Sequence, residues 1–116
     1  MTYLKLIINN KNLKNNDDFF EKIELKKILN LYAQMVSNGI WKDYSFNITK
    51  NEISFNVYKR TSEFPEYKIS KNLKPKNKND KYLVKDKNDQ MVKKSNNLEN
   101  LINNFKWRKL KVINQN

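Results

Sequence analysis

Apolar residues recur at three- and four-residue steps in two stretches of this chain, and between them the period falls to two. In the first stretch Leu25, Ile28, Leu29, Tyr32, Met35 and Val36 fall on one stripe, the mark of an amphipathic helix. Asp18 stands before it with Glu21 three residues on, the spacing of a capping box that satisfies free amides of a first turn. Asn38-Gly39 supplies a left-handed stop. Tyr44, Phe46 and Ile48 then alternate with Ser45, Asn47 and Thr49, and after Lys50-Asn51 the run Ile53, Phe55, Val57 alternates likewise, predicting a β-hairpin. Pro65 cannot donate to a ladder and marks a corner, after which Tyr67 and Ile69 begin a third strand. Residues 72–80 read as a polar loop around Pro75, and residues 82–85 and 90–93 flank Asp86-Lys87-Asn88-Asp89 as a second hairpin. Ser95 or Asn96 is placed to cap a last helix, on which Leu98, Leu101, Ile102 and Phe105 fall at i, i+3, i+4 and i+7.

The pattern predicts an α+β domain: an N-terminal helix, an antiparallel sheet of about five strands made of two hairpins and one strand between them, and a C-terminal helix. Residues 1–17 read as a flexible or weakly paired arm, with Leu4, Leu6 and Ile8 alternating before a polar run. Residues 18–105 form the single domain and 106–116 a basic tail, for which helix, edge strand and free end all stay open.

Composition narrows the chemistry. At 116 residues, 38% hydrophobic but with fourteen aromatic residues, the chain suits one ring-rich core. It has no Cys, which excludes disulfides, thiolate nucleophiles and Cys-bound metals. It has no His, which removes the usual base near neutral pH and the commonest transition-metal ligand. The apolar stretch of residues 3–8 is too short for a signal peptide or a membrane span, so a cytoplasmic location without a membrane partner is expected. The net charge of +12 is the footprint of a protein that meets polyanions. Lys and Asn, however, supply 43 of the residues, a bias that an AT-rich genome imposes on any protein, so binding and compositional drift both explain the charge.

From Phe20 onward a spaced pattern carries more specific information. It runs Glu24-Leu25, Ile28-Leu29, Tyr32, Met35-Val36, Gly39, Trp41 and Asp43-Tyr44, then Phe55, Val57-Tyr58, Arg60, Ser62-Glu63, Pro65, Tyr67 and Ile69, and more weakly Tyr82, Val84, Leu98 and Leu101. In these residues the chain resembles an uncharacterised family of small alphaproteobacterial proteins known only as a domain of unknown function. The resemblance spans nearly the whole domain and departs from the family pattern at Asn88 and Asp89, where relatives usually carry Gly, and around Trp107. It supports the layout and transfers no catalytic or binding residue.

Three surface features remain as candidate sites. Arg60 sits between Tyr58 and Tyr67 in a chain that otherwise prefers Lys; a guanidinium can hold a phosphate in a fork and stack on a ring, whereas an ammonium cannot do both. The plain alternative is a structural corner in which Arg60 pairs with Glu63 or Asp43. Lys74, Lys76 and Lys78 form a basic loop, and Lys106, Trp107, Arg108 and Lys109 mix charge with a ring as single-strand binders do. Trp41 and Tyr44 are read as packing residues, with an exposed stacking surface as the alternative. Asp43, Glu63 and Glu66 have no metal-loop spacing, and a single Gly leaves no phosphate loop, so no enzyme, metal or cofactor is expected. Two partner classes are carried forward: RNA or single-stranded DNA, and a protein partner of an interaction or regulatory module.

Overall fold

The computed structural model describes residues 19–60 and 64–107, so the arm, the corner at 61–63 and the tail from Arg108 lie outside the described residues. Helix α1 (Lys22–Ser37) begins one turn later than the Asp18–Glu21 spacing predicts: Glu21 is its N-cap, and the Glu21 N–H donates to Glu24 Oε1 at 2.7 Å. Leu25, Ile28, Tyr32 and Met35 are buried as the stripe requires, but Leu31 and Glu24 join them, while Val36 is 41% exposed. The buried face is therefore rotated from the expected one toward Glu24.

The helix stops as Asn38-Gly39 predicts. Gly39 has φ +75°, and the N–H groups of Gly39 and Ile40 donate to Val36 O at 2.9 Å and Met35 O at 2.8 Å, which satisfies last-turn carbonyls. A Cβ at Gly39 would meet nothing within 4 Å, so the cost of adding one is backbone strain alone. Gly39→Ala is expected to destabilise the domain by about 1–2 kcal/mol in denaturant unfolding, and Gly39→Asn by less, because Asn tolerates the left-handed region. A larger loss for Asn than for Ala would refute this account.

Five strands follow, β1 (Asp43–Ile48), β2 (Glu52–Tyr58), β3 (Tyr67–Asn72), β4 (Tyr82–Asp86) and β5 (Met91–Ser95), paired antiparallel in sequence order. The strand count and both hairpins match the alternation in the sequence. The register aligns Phe46, Phe55, Ile69 and Val84 in one row across the sheet, with Tyr44, Val57 and Tyr67 on one side of it and Ile48, Ile53, Lys71 and Tyr82 on the other. These rows face the helices. Ile53, Phe55, Val57, Ile69 and Val84 are fully buried there, together with Ile28 of α1.

The opposite face of the sheet is polar. Ser45, Ser54, Asn56 and Tyr58 are linked by hydrogen bonds of 3.0–3.2 Å, and Lys85 reaches Glu52 at 3.6 Å. In the second hairpin Asp89 takes φ +63°, a conformation that Gly adopts without strain, and Asp86 Oδ1 accepts the N–H groups of Asn88 and Gln90.

Helix α2 (Leu98–Asn104) is capped by Asn97, which accepts the Asn100 N–H at 3.0 Å, rather than by Ser95 or Asn96. Leu98 and Leu101 are buried, and Ile102 and Phe105 half-buried. The chain then turns back, and the Trp107 indole Nε1–H donates to Ile102 O at 3.0 Å.

Candidate functional site

The end of the sheet where β1 turns into β2 and β3 leads to β4 carries a loop of unusual charge. Between Asn72 and Tyr82 it holds Lys74, Lys76, Lys78 and Lys81 against the single acid Asp80. Asp80 does not compensate them: it pairs with Lys94 at 3.2 Å. Lys27, Lys68, Lys71 and Lys85 likewise have carboxylate partners within 4 Å, but among the described residues Lys74, Lys76, Lys78 and Lys81 have none. Like charges so close on one loop repel each other, and an incoming anion relieves that repulsion.

The loop is nevertheless held in place. Leu73 N–H donates to Asn51 O at 2.7 Å, Asn72 N–H to Lys81 O at 2.8 Å, and Asp80 N–H to Asn77 O at 3.0 Å, closing a 3₁₀ turn at Lys78–Asp80. Asn72 Oδ1 also accepts the Lys74 N–H at 3.1 Å. Lys81 lies over the Tyr82 ring, 5.5 Å from its centroid. The loop walls a recess of about 550 Å³, lined also by Glu21, Lys71, Asn72, Pro75 and Asn96. Four lysines and three asparagines against one glutamate make this lining basic and rich in donors.

Behind the recess is a buried polar cluster that sequence reasoning does not bring together; Lys71 reads there as part of the lysine-rich surface stretch 68–81. Lys71 is 4% exposed, and its ammonium donates to Glu24 Oε1 at 2.9 Å and to the Phe19 carbonyl at 3.1 Å. Tyr82 donates its hydroxyl to the other oxygen of Glu24. Burial pushes the Tyr82 hydroxyl pKa well above its ordinary value, and the hydrogen bond to Glu24 and its negative charge raise it further. This phenol is held neutral, so it acts as a donor and not as a base. The cluster ties the first turn of α1 to β3 and β4, and so sets the back wall of the recess. Its signal was in the sequence: Glu24 precedes Ile28 by one helical turn, and Lys71 continues the inward alternation of Tyr67 and Ile69.

The residues singled out from sequence are dispersed. Lys74, Lys76 and Lys78 share the loop end, whereas Arg60, Tyr67, Lys106 and Trp107 belong to the other end of the sheet, a strand length of about 17 Å away. Tyr58 and Tyr67 do not flank one surface. Tyr58 turns to the polar face and hydrogen-bonds Ser45, while Tyr67 packs edge-on against Phe105 and Trp107 at 5.2 and 5.4 Å. Burial, followed by the charges of Glu66 and Asp86, raises the Tyr67 pKa.

Arg60 is exposed, and its expected pair with Asp43 does not form; Asp43 accepts the Tyr44 N–H instead. Trp107 is no exposed stacking ring, since it lies edge-on to Trp41 at 5.6 Å and packs on the core. Trp41 is 1% exposed, so its packing role holds, and Tyr44 stacks on Phe55 at 5.3 Å. Glu63, Arg108 and Lys109 lie outside the described residues. Among the described residues no three acidic side chains converge as a metal site, and no helix is long and apolar enough to cross a membrane.

Comparison with known proteins finds a family match. Residues 19–102, well over half of the chain, fit the model of a family described as a protein of unknown function, DUF2794. No curated protein matches, and no solved structure matches.

Proposed function

We propose, from the premise that the chain belongs to the DUF2794 family of proteins of unknown function, that it is a cytoplasmic, non-catalytic domain that binds RNA or single-stranded DNA through the lysine loop. The observation that carries this reading is the set of four lysines on one tethered loop without a carboxylate partner among the described residues. Other described lysines, Lys22, Lys26, Lys42 and Lys50 among them, also have no carboxylate of a described residue within 4 Å, but they are spread over several elements, whereas these four fall within the eight residues 74–81. Four uncompensated ammonium groups on one loop instead give a local field that attracts phosphates and gains entropy by releasing their counterions. Because Trp41, Tyr67 and Trp107 pack against the core, contact runs through phosphates and not through stacked bases. Affinity should therefore vary little with sequence.

The test is a titration with labelled single-stranded oligonucleotides at two salt concentrations. Four phosphate contacts predict a slope of about −3 in log affinity against log salt, a loss of roughly 50-fold between 50 and 200 mM. Replacing Lys74, Lys76, Lys78 and Lys81 together by Gln should abolish this binding. Replacing Lys59, Arg60 and Lys106, at the other end of the sheet, should change it less than about threefold. No binding at about 50 mM salt would sink the reading.

A second reading, a protein-interaction module, draws on Met91 and Val92, which are 51% and 44% exposed side by side on the edge strand β5. It gains if relatives of near-neutral charge keep the corner at Arg60 but lack the loop lysines.

A further inference from the structure

The lysine loop does more than present charge, because it curves around a concavity. Lys76, Lys78 and Lys81 line the recess together with Asn72, Asn77 and Asn96, and its back wall is the buried Lys71 held by Glu24. A volume of about 550 Å³ accommodates one nucleotide-sized group. Lys74 stands outside the recess, whereas Lys76, Lys78 and Lys81 line one hollow, where a single group meets three of the four loop charges at once. The lining holds no aromatic ring, so nothing there grips a base, and three amide side chains supply donors and acceptors of the kind that orient an oxyanion. Glu21 is the lining's single acid, and it offsets part of the charge of the lysines.

An internal phosphodiester carries one negative charge, whereas a phosphomonoester carries nearly two at neutral pH and has three acceptor oxygens. A hollow lined by several ammonium groups discriminates between them by charge. We propose that the recess binds a phosphomonoester dianion, and that on a nucleic acid this is the terminal phosphate of a strand. The inference rests on the nucleic-acid reading above and refines it from binding along a strand to recognition of an end. Lys76 and Lys78 supply the charge that distinguishes the monoester, and Asn72, Asn77 and Asn96 orient it. The tethers of Asn72, Leu73 and Asp80 hold the loop in its binding shape beforehand, so little order has to be gained on binding.

The experiment uses the full chain and short single-stranded oligonucleotides of one sequence, carrying a 5′-phosphate, a 3′-phosphate or hydroxyls at both ends, with adenosine monophosphate as competitor. At least one phosphorylated end should bind about tenfold tighter than the hydroxyl-ended strand, and the monophosphate should compete for that increment. The two phosphorylated arms tell a 5′ from a 3′ end, and strong competition without an end preference identifies a free mononucleotide as the source. Lys76→Gln with Lys78→Gln should remove the discrimination while circular dichroism shows an unchanged fold. Equal affinity for all three strands, without competition by the monophosphate, overturns the monoester site and leaves the polyanion reading intact. Failure of every strand to bind overturns both. Discrimination that survives the double substitution also overturns the site.

Discussion

Glu24→Leu is expected to destabilise the fold by about 3–5 kcal/mol, among the largest effects of any single substitution here, because it takes the Glu24 carboxylate from a buried ammonium and a buried hydroxyl together. Lys71 would keep the Phe19 carbonyl but lose the Glu24 carboxylate, and Tyr82 would lose Glu24 as the acceptor of its hydroxyl. Taking one partner from a buried pair costs far more than replacing the whole cluster with apolar groups of similar shape. The triple variant Glu24→Leu, Lys71→Met, Tyr82→Phe should therefore recover most of the loss. Denaturant unfolding of the single and triple variants checks this, and a triple variant no more stable than Glu24→Leu would contradict it.

The cluster also sets a pH response. Folding raises the Tyr82 pKa through burial and Glu24, and burial raises those of Tyr32 and Tyr67 as well. A raised folded-state value gives stability that is full below the unfolded value and is lost as pH climbs through the folded one. Stability should thus begin to fall above about pH 10, where unfolded tyrosine ionises. Tyr82→Phe should flatten part of that alkaline slope.

Trp41→Ala is the second large effect, at about 3–5 kcal/mol, with a drop in Tm on the order of 15–30 °C. Trp41 is 1% exposed and touches the ring of Tyr32 at 6.2 Å and that of Trp107 at 5.6 Å. It therefore joins α1, the start of β1 and the segment that follows α2. Its removal opens a cavity between three elements that cannot all close on it. Trp107→Ala should cost less than half as much, since Trp107 is only half-buried. Thermal unfolding followed by circular dichroism separates the two, and equal losses would mean that the rings act as one unit rather than as a core residue and its cover.

Much of this was legible in the chain. The helical stripe of α1, the alternation of Phe46, Phe55 and Val57, and the stop at Gly39 each follow from a local period or a local backbone preference that any context would respect. Where local signals competed, context chose. Asp18-x-x-Glu21 and Glu21-x-x-Glu24 offer the same capping spacing, and α1 uses the second, which places Glu24 against Lys71 and Tyr82. Leu31 rather than Val36 turns inward, and it lines a groove with Ile102 of α2. Period alone could not supply that neighbour.

The candidate site divides in the same way. The lysine-rich loop between Asn72 and Tyr82 is plain in the sequence, as is the absence of Cys and His. Alternation says which residues share a face of a strand, but pairing partners say which surface that face joins. Tyr58 and Tyr67 therefore looked like two walls around Arg60 until the register set Val57 opposite Tyr67 and sent Tyr58 to the other face. By itself the sequence determined the class of fold, its elements and the charge of the loop, because these depend on spacing along the chain. The concavity of the recess, the buried partner of Lys71 and the inward turn of Trp107 were settled by tertiary structure alone, because each depends on contacts between residues far apart in the chain.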